Sequence, residues 1–240
     1  MRKAILALFL TLIIENSYAQ IETHQNQSGQ LSIQTKVTGP LSATVKLSSC
    51  KFSISLSPNQ HLLYDGLSII FYQSTIDLPH EEKPYLSQAQ TYSGYDWNFL
   101  KKGNKETKWL GLMCEGKTNF PLETFSPNPQ PDETIAIQSV RELNGLKCPA
   151  LFRNKKWKPS PKLKTENSNY FNISNKTWSG FITWRSKENS DSKIESLRFC
   201  LFHGENVIIG ASENTPEPLQ IPHDFIKTVK ELLETIEFID

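Results

Sequence analysis

ESLRFCLFHGENVIIGAS, residues 195–212, decides the fold class. Its two β-rich runs, Glu195 to His203 and Val207 to Ser212, flank Gly204-Glu205-Asn206, a turn-prone interruption short enough for a hairpin. Along the first run Leu197, Phe199 and Leu201 share one face while Cys200 and Phe202 share the other. That pattern predicts a strand buried on both sides, in the interior of a sheet. Beyond Pro216-Glu217-Pro218 a helix is expected from about Pro222, whose fixed φ and missing N–H suit a first helical position. Phe225, Ile226, Val229, Leu232, Leu233 and Ile236 then fall on one helical stripe, with Lys227, Lys230, Glu231 and Glu234 opposite. The stripe has to be buried, and the adjacent hairpin is the nearest apolar surface. The expected class is therefore α+β, a mainly antiparallel sheet with a C-terminal amphipathic helix packed on it.

Working outward, the same period of two recurs. Leu31, Ile33, Thr35 and Val37 alternate, as do Phe52, Ile54 and Leu56, and Asp65-Gly66 separates two apolar runs as a hairpin turn or a bulge. Trp97 and Phe99, the charged turn Lys101 to Lys105, and Trp109 to Met113 read as a further hairpin. Glu81 to Gln90 lacks a helical stripe, contains Pro84 and reads as loop. Pro127, Pro129 and Pro131 form an extended connector, after which Asp132 and Glu133 mark the start of a helix ending at Gly145. Trp178, Phe181, Ile182 and Trp184 form another strand. Each half thus runs cysteine, aromatic strand, polar turn, apolar strand with a second cysteine, proline-rich connector, helix. This order suggests two similar α+β lobes, 31–145 and 146–240, after a flexible N-terminus at 20–30.

Arg2 and Lys3, the 11-residue apolar run Ala4 to Ile14 and the small residues before Gln20 have the form of a signal peptide, residues 1–19. The run is short of the ~20 residues that a membrane span needs, and no later stretch reaches that length, so no transmembrane segment is expected in the mature chain. Cleavage removes two of 26 basic residues, Arg2 and Lys3, and one of 25 acidic residues, Glu15. What is left is 24 of each sign and no formal net charge, so charge gives no reason to expect nucleic acid as a partner. The expected product is exported, periplasmic or secreted.

In an exported chain four cysteines are disulfide candidates, and the order of the halves favours Cys50 with Cys114 and Cys148 with Cys200. Cys200 and His203, three apart in a strand, point to opposite faces and do not share a metal. None of the five histidines, His24, His61, His80, His203 and His223, lies in a metal or catalytic motif, and Gly210-Ala211-Ser212 lacks the final glycine of a nucleophile elbow. No catalytic, metal-ligating or cofactor-binding residue is assigned. The candidate contact surface is Arg153, Lys155, Lys156, Trp157 and Lys158, within a basic segment that Pro159 and Pro161 are expected to hold extended. The sequence therefore favours a non-catalytic binding or inhibitory protein of the cell envelope, such as a toxin-neutralising immunity-type protein, over an enzyme. The alternatives are an envelope hydrolase and a carbohydrate-binding protein using Trp157, Trp178 or Trp184.

Overall fold

The structure is a computed structural model, and it describes residues 18–20, 36–65, 68–74, 82–91, 94–127, 135–163, 167–188, 190–214 and 217–239. Residues 1–17 of the expected signal peptide, 21–30 of the expected flexible segment and the connector from 128 to 134 lie outside these. The first part contributes strands β1 (Tyr18–Gln20), β2 (Lys36–Thr38), β3 (Leu41–Leu47), β4 (Cys50–Leu56), β5 (His61–Tyr64), β6 (Ile69–Gln73), β7 (Tyr85–Thr91), β8 (Gly94–Leu100) and β9 (Trp109–Gly116). Helices α1 (Leu122–Phe125) and α2 (Ile135–Lys147) follow. The second part contributes β10 (Ala150–Arg153), β11 (Lys156–Pro159), β12 (Ser168–Ser174), β13 (Ser179–Lys187), β14 (Ser190–His203), β15 (Asn206–Ser212), β16 (Ile221–Pro222), helix α3 (Phe225–Glu234) and β17 (Glu237–Phe238).

The architecture is α+β and dominated by antiparallel sheet. A large sheet takes the order β12-β13-β14-β15-β9-β6-β5-β2, with β16 added beside β14. Its centre is the pair β9 and β15, where Met113 faces Ile209 and Cys114 faces Ile208. Strands of the two halves, expected to form two lobes, thus share one sheet, because β9 and β15 are apolar on both faces and each needs a neighbour on either side.

Residues paired across an antiparallel ladder point to the same side. Phe181, Cys200, Ile209 and Met113 make one row of what we call the front face, and Ile182, Phe199, Gly210, Leu112 and Ile70 one row of the back face. Against the back lies a small sheet, β1-β3-β4-β17, whose β4 turns Cys50, Phe52, Ile54 and Leu56 inward. The Cys50–Cys114 disulfide joins the two sheets there. Helix α3 lies on the same side and buries Phe225, Ile226, Val229, Leu232 and Leu233. It packs beside β4 rather than on the β14–β15 hairpin alone. Its exit dictates this, since β17 pairs with β4 through Phe238 opposite Phe52.

The front is covered by α2 and by two hairpins, β7–β8 and β10–β11. Cys148, just after α2, is bonded to Cys200 on that face. Two glycines let aromatic rings lie flat on the central strands. A Cβ at Gly111 would meet the Phe99 ring at 2.4 Å, and one at Gly210 would meet Phe199 at 2.0 Å.

Four readings of the sequence are corrected. Tyr85–Thr91, which overlaps the expected loop Glu81 to Gln90, is a strand, hidden because its polar residues Ser87, Gln88 and Gln90 mask any apolar period. It pairs with β8, so the expected hairpin between Trp97 and Met113 does not form, and β9 instead pairs with β6 and β15. Gly145 does not end α2 but lies inside it, where an added Cβ would stand 2.6 Å from Pro121 Cγ; close helix-to-chain approach is what calls for glycine. The basic segment is extended only along Lys156–Pro159; it turns back before that strand and coils into a short 3-10 helix, Pro161–Leu163, after it. Asn154 and Lys155, at φ 54° and 60°, close a two-residue turn of the kind that matches strand twist.

Candidate functional site

At one end of the front face, among the described residues, the strands change character. Across β12, β13 and β14 one row reads Ser168, Arg185, Ser196 and the next Tyr170, Thr183, Arg198. Further along the same face the rows become Asn172, Phe181, Cys200 and then Ser174, Ser179, Phe202, closed over by the β10–β11 hairpin. Ser168, Thr183, Arg185, Ser196 and Arg198 of the first two rows line the floor of a groove of about 320 Å³, banked by Leu146, Pro149 and Leu163.

Two guanidiniums occupy this floor, each held from behind by a carboxylate. Arg185 Nε donates to Glu195 Oε2 at 2.8 Å. Arg198 donates from Nε (2.8 Å) and Nη2 to Glu213 Oε2, and from Nη1 to the Leu146 carbonyl at 3.1 Å. Glu213 itself is buried and also accepts from Lys147 Nζ at 2.7 Å. That ammonium donates further to Asn98 Oδ1 and lies 4.8 Å from the centroid of the Trp97 ring. Burial pushes the Glu213 carboxyl up, but Arg198 and Lys147 together outweigh it and hold the group below the usual glutamate range. Burial, opposed by Glu213 and reinforced by Arg198, lowers Lys147. The cluster of Lys147, Glu213 and Arg198 carries one more positive than negative charge.

Of the candidate contact residues, the hairpin exposes Lys155, Lys156 and Lys158 and engages the other two in its own support. Trp157 is buried, its ring stacked 3.9 Å from that of Phe202 and its Nε1 donating to Ser179 Oγ at 3.1 Å. Arg153 donates to the carbonyls of Thr124, Phe152, Glu123 and Ser126, clamping β10 onto α1. The base of this hairpin, where Ser160 N donates to Pro149 O, borders the groove. Lys105, Lys108 and Lys230 each meet a carboxylate within 2.8 Å, whereas the three hairpin lysines have no carboxylate partner among the described residues.

The four cysteines form Cys50–Cys114 and Cys148–Cys200, with no free cysteine among the described residues. His61 Nδ1 bonds Thr38 Oγ1 at 2.9 Å, and His203 Nδ1 lies 2.7 Å from the Thr177 carbonyl, its ring stacked on Phe238. His223 packs edge-on to Trp184, while His24 and His80 lie outside the described residues. Ser212 is buried. Among the described residues no group of three or more histidines, cysteines and carboxylates is placed to hold a metal ion. No helix among them is long and apolar enough to cross a membrane.

Sequence reasoning passed over Arg185, Arg198, Glu213 and Lys147. For the arginines a signal existed: a period of two from Phe181 reaches Arg185, and from Cys200 reaches Arg198 and Ser196. No known protein family matches the chain, and no curated protein or solved structure matches it.

Proposed function

We propose that this is an exported, non-catalytic binding or inhibitory protein of the cell envelope, of the toxin-neutralising immunity type, and that it recognises an acidic face on a protein partner. The observation that carries this reading is the β10–β11 hairpin. It displays Lys155, Lys156 and Lys158 with no carboxylate partner among the described residues, while Trp157 and Arg153 hold its backbone in place. Cations on a fixed element steer and orient an oppositely charged partner at little entropic cost. The two disulfides favour an oxidising compartment, which agrees with the signal-like residues 1–19. The two halves, 31–145 and 146–240, are read as similar units joined edge to edge. Their strand orders, β2-β5-β6-β9 and β12-β13-β14-β15, both run inward to the shared centre.

The test is capture from envelope extract by the mature protein, compared with the triple charge reversal Lys155→Glu, Lys156→Glu, Lys158→Glu. Loss of a partner that the wild type retains, together with weaker capture as salt rises, supports the reading. An unchanged set of captured proteins rejects this interface, and turnover of peptidoglycan or ester substrates by the purified protein rejects the non-catalytic reading.

A further inference from the structure

Arg185 and Arg198 are diagonal neighbours on the front face, since Arg185 pairs with Ser196 and Arg198 with Thr183. Glu195 pairs with the Arg185 guanidinium at the surface, while the buried Glu213 holds that of Arg198, which therefore does not have to be ordered when a ligand arrives. Arg198 uses three of its five N–H groups on Glu213 and the Leu146 carbonyl, which leaves two toward other acceptors. Beside the arginines stand the hydroxyls of Thr183 and Ser196, and above them the apolar banks Leu146, Pro149 and Leu163. A carboxylate is the planar acceptor that guanidinium forks fit, and apolar walls strengthen such a pairing by limiting water. The volume, about 320 Å³, lies at the low end of ligand pockets, which are roughly 300–1,000 Å³. It suits one acidic side chain with an apolar neighbour better than a large free ligand.

We infer that the groove is a carboxylate subsite that receives a glutamate or aspartate side chain, flanked by an apolar residue, from an acidic protein partner. This rests on the binding function proposed above and places the specific anchor in the groove, leaving the lysine hairpin to steer the approach. The lysines supply long-range attraction; the arginines, with apolar banks beside them, select a side chain.

The experiment is a titration of the full mature protein with the blocked peptide acetyl-Leu-Glu-Leu-amide, followed by the Nε–H signals of Arg185 and Arg198 and the amide signals of Ser168, Thr183 and Ser196. Saturable shifts confined to these groups are expected, with about tenfold weaker binding of the Gln peptide. Arg185→Gln is the chosen variant because Arg185 is half exposed and its pairing with Glu195 lies at the surface; it is expected to weaken the Glu peptide by a similar factor. The double reversal Lys155→Glu, Lys156→Glu should leave peptide binding within about twofold, since these two lysines stand at the turn of the hairpin, at the end opposite the base that borders the groove. Absence of saturable shifts, equal binding of the Gln peptide, or tighter binding of inorganic phosphate than of the Glu peptide overturns the subsite. If the peptide fails while lysine-dependent capture persists, the groove inference falls and the binding function stands. If the peptide binds and capture is absent, the reverse holds.

Discussion

Glu213 joins the groove to the interior, because one buried carboxylate holds both the Arg198 guanidinium and the Lys147 ammonium. Its removal in Glu213→Ala strands a buried ammonium and should cost about 3–5 kcal/mol in urea unfolding. Its titration sets a pH dependence with a definite sign. The carboxyl sits below its ordinary value of 4.5 in the folded protein, so its contribution is complete above that pH and is lost as pH falls through the lower folded value. Wild type should therefore lose more stability than Glu213→Gln on acidification below pH 4.5. Asn175 is a second such residue. Its Oδ1 accepts from Thr177 N, Thr177 Oγ1 and Trp178 N, and its Nδ2 donates to the Ile236 carbonyl at 2.8 Å. Asn175→Ala removes three bonds within the β12–β13 turn and the one that ties this turn to Ile236, just past α3, and a loss of about 2 kcal/mol in thermal or urea unfolding is expected. Neither role was legible from sequence. Glu213 follows an apolar strand and Asn175 sits in an ordinary polar turn, and the partners that tie them to other elements, Arg198 and Lys147 for Glu213 and Ile236 for Asn175, are 15 to 66 residues away.

Elements were legible where apolar residues alternate without interruption. β4 turns every second residue inward, and β14 and β15 pair from Leu197 with Ser212 to His203 with Asn206. β7 was not legible, because its residues contact another hairpin strand more than the core and carry polar side chains where a buried strand would carry apolar ones. In α3, Leu232 is 3% exposed, so Leu232→Asp places an unpaired charge in the core; a loss of about 3 kcal/mol or more is expected, and unchanged stability would contradict the packing of the helix. In β15, Gly210→Ala pushes a methyl into the Phe199 ring and should cost about 1–3 kcal/mol, with the near-ultraviolet aromatic signal altered.

Over the whole molecule the two disulfides fasten outer layers to opposite faces of one sheet, Cys50–Cys114 at the back and Cys148–Cys200 at the front. They close loops of 64 and 52 residues, each contributing on the order of 4 kcal/mol in the chain-entropy view, and replacing either pair by alanines should lower stability by about that much. Their pairing was foreseen from the order of the two halves, but the shared sheet was not, because nothing in a single sequence reports which strand edge meets which. Neither disulfide runs between the halves. Cooperation between them therefore depends on noncovalent contacts, chiefly the pairing of β9 with β15 and of β4 with β17. If that continuous sheet is what holds the groove and the lysine hairpin rigid, the halves cannot unfold separately. Hydrogen exchange of β6 and β14, followed in the same samples across a urea series with the disulfides intact, is the direct measurement. One shared midpoint for loss of protection is predicted, and a state in which one half has exchanged while the other stays protected would contradict it.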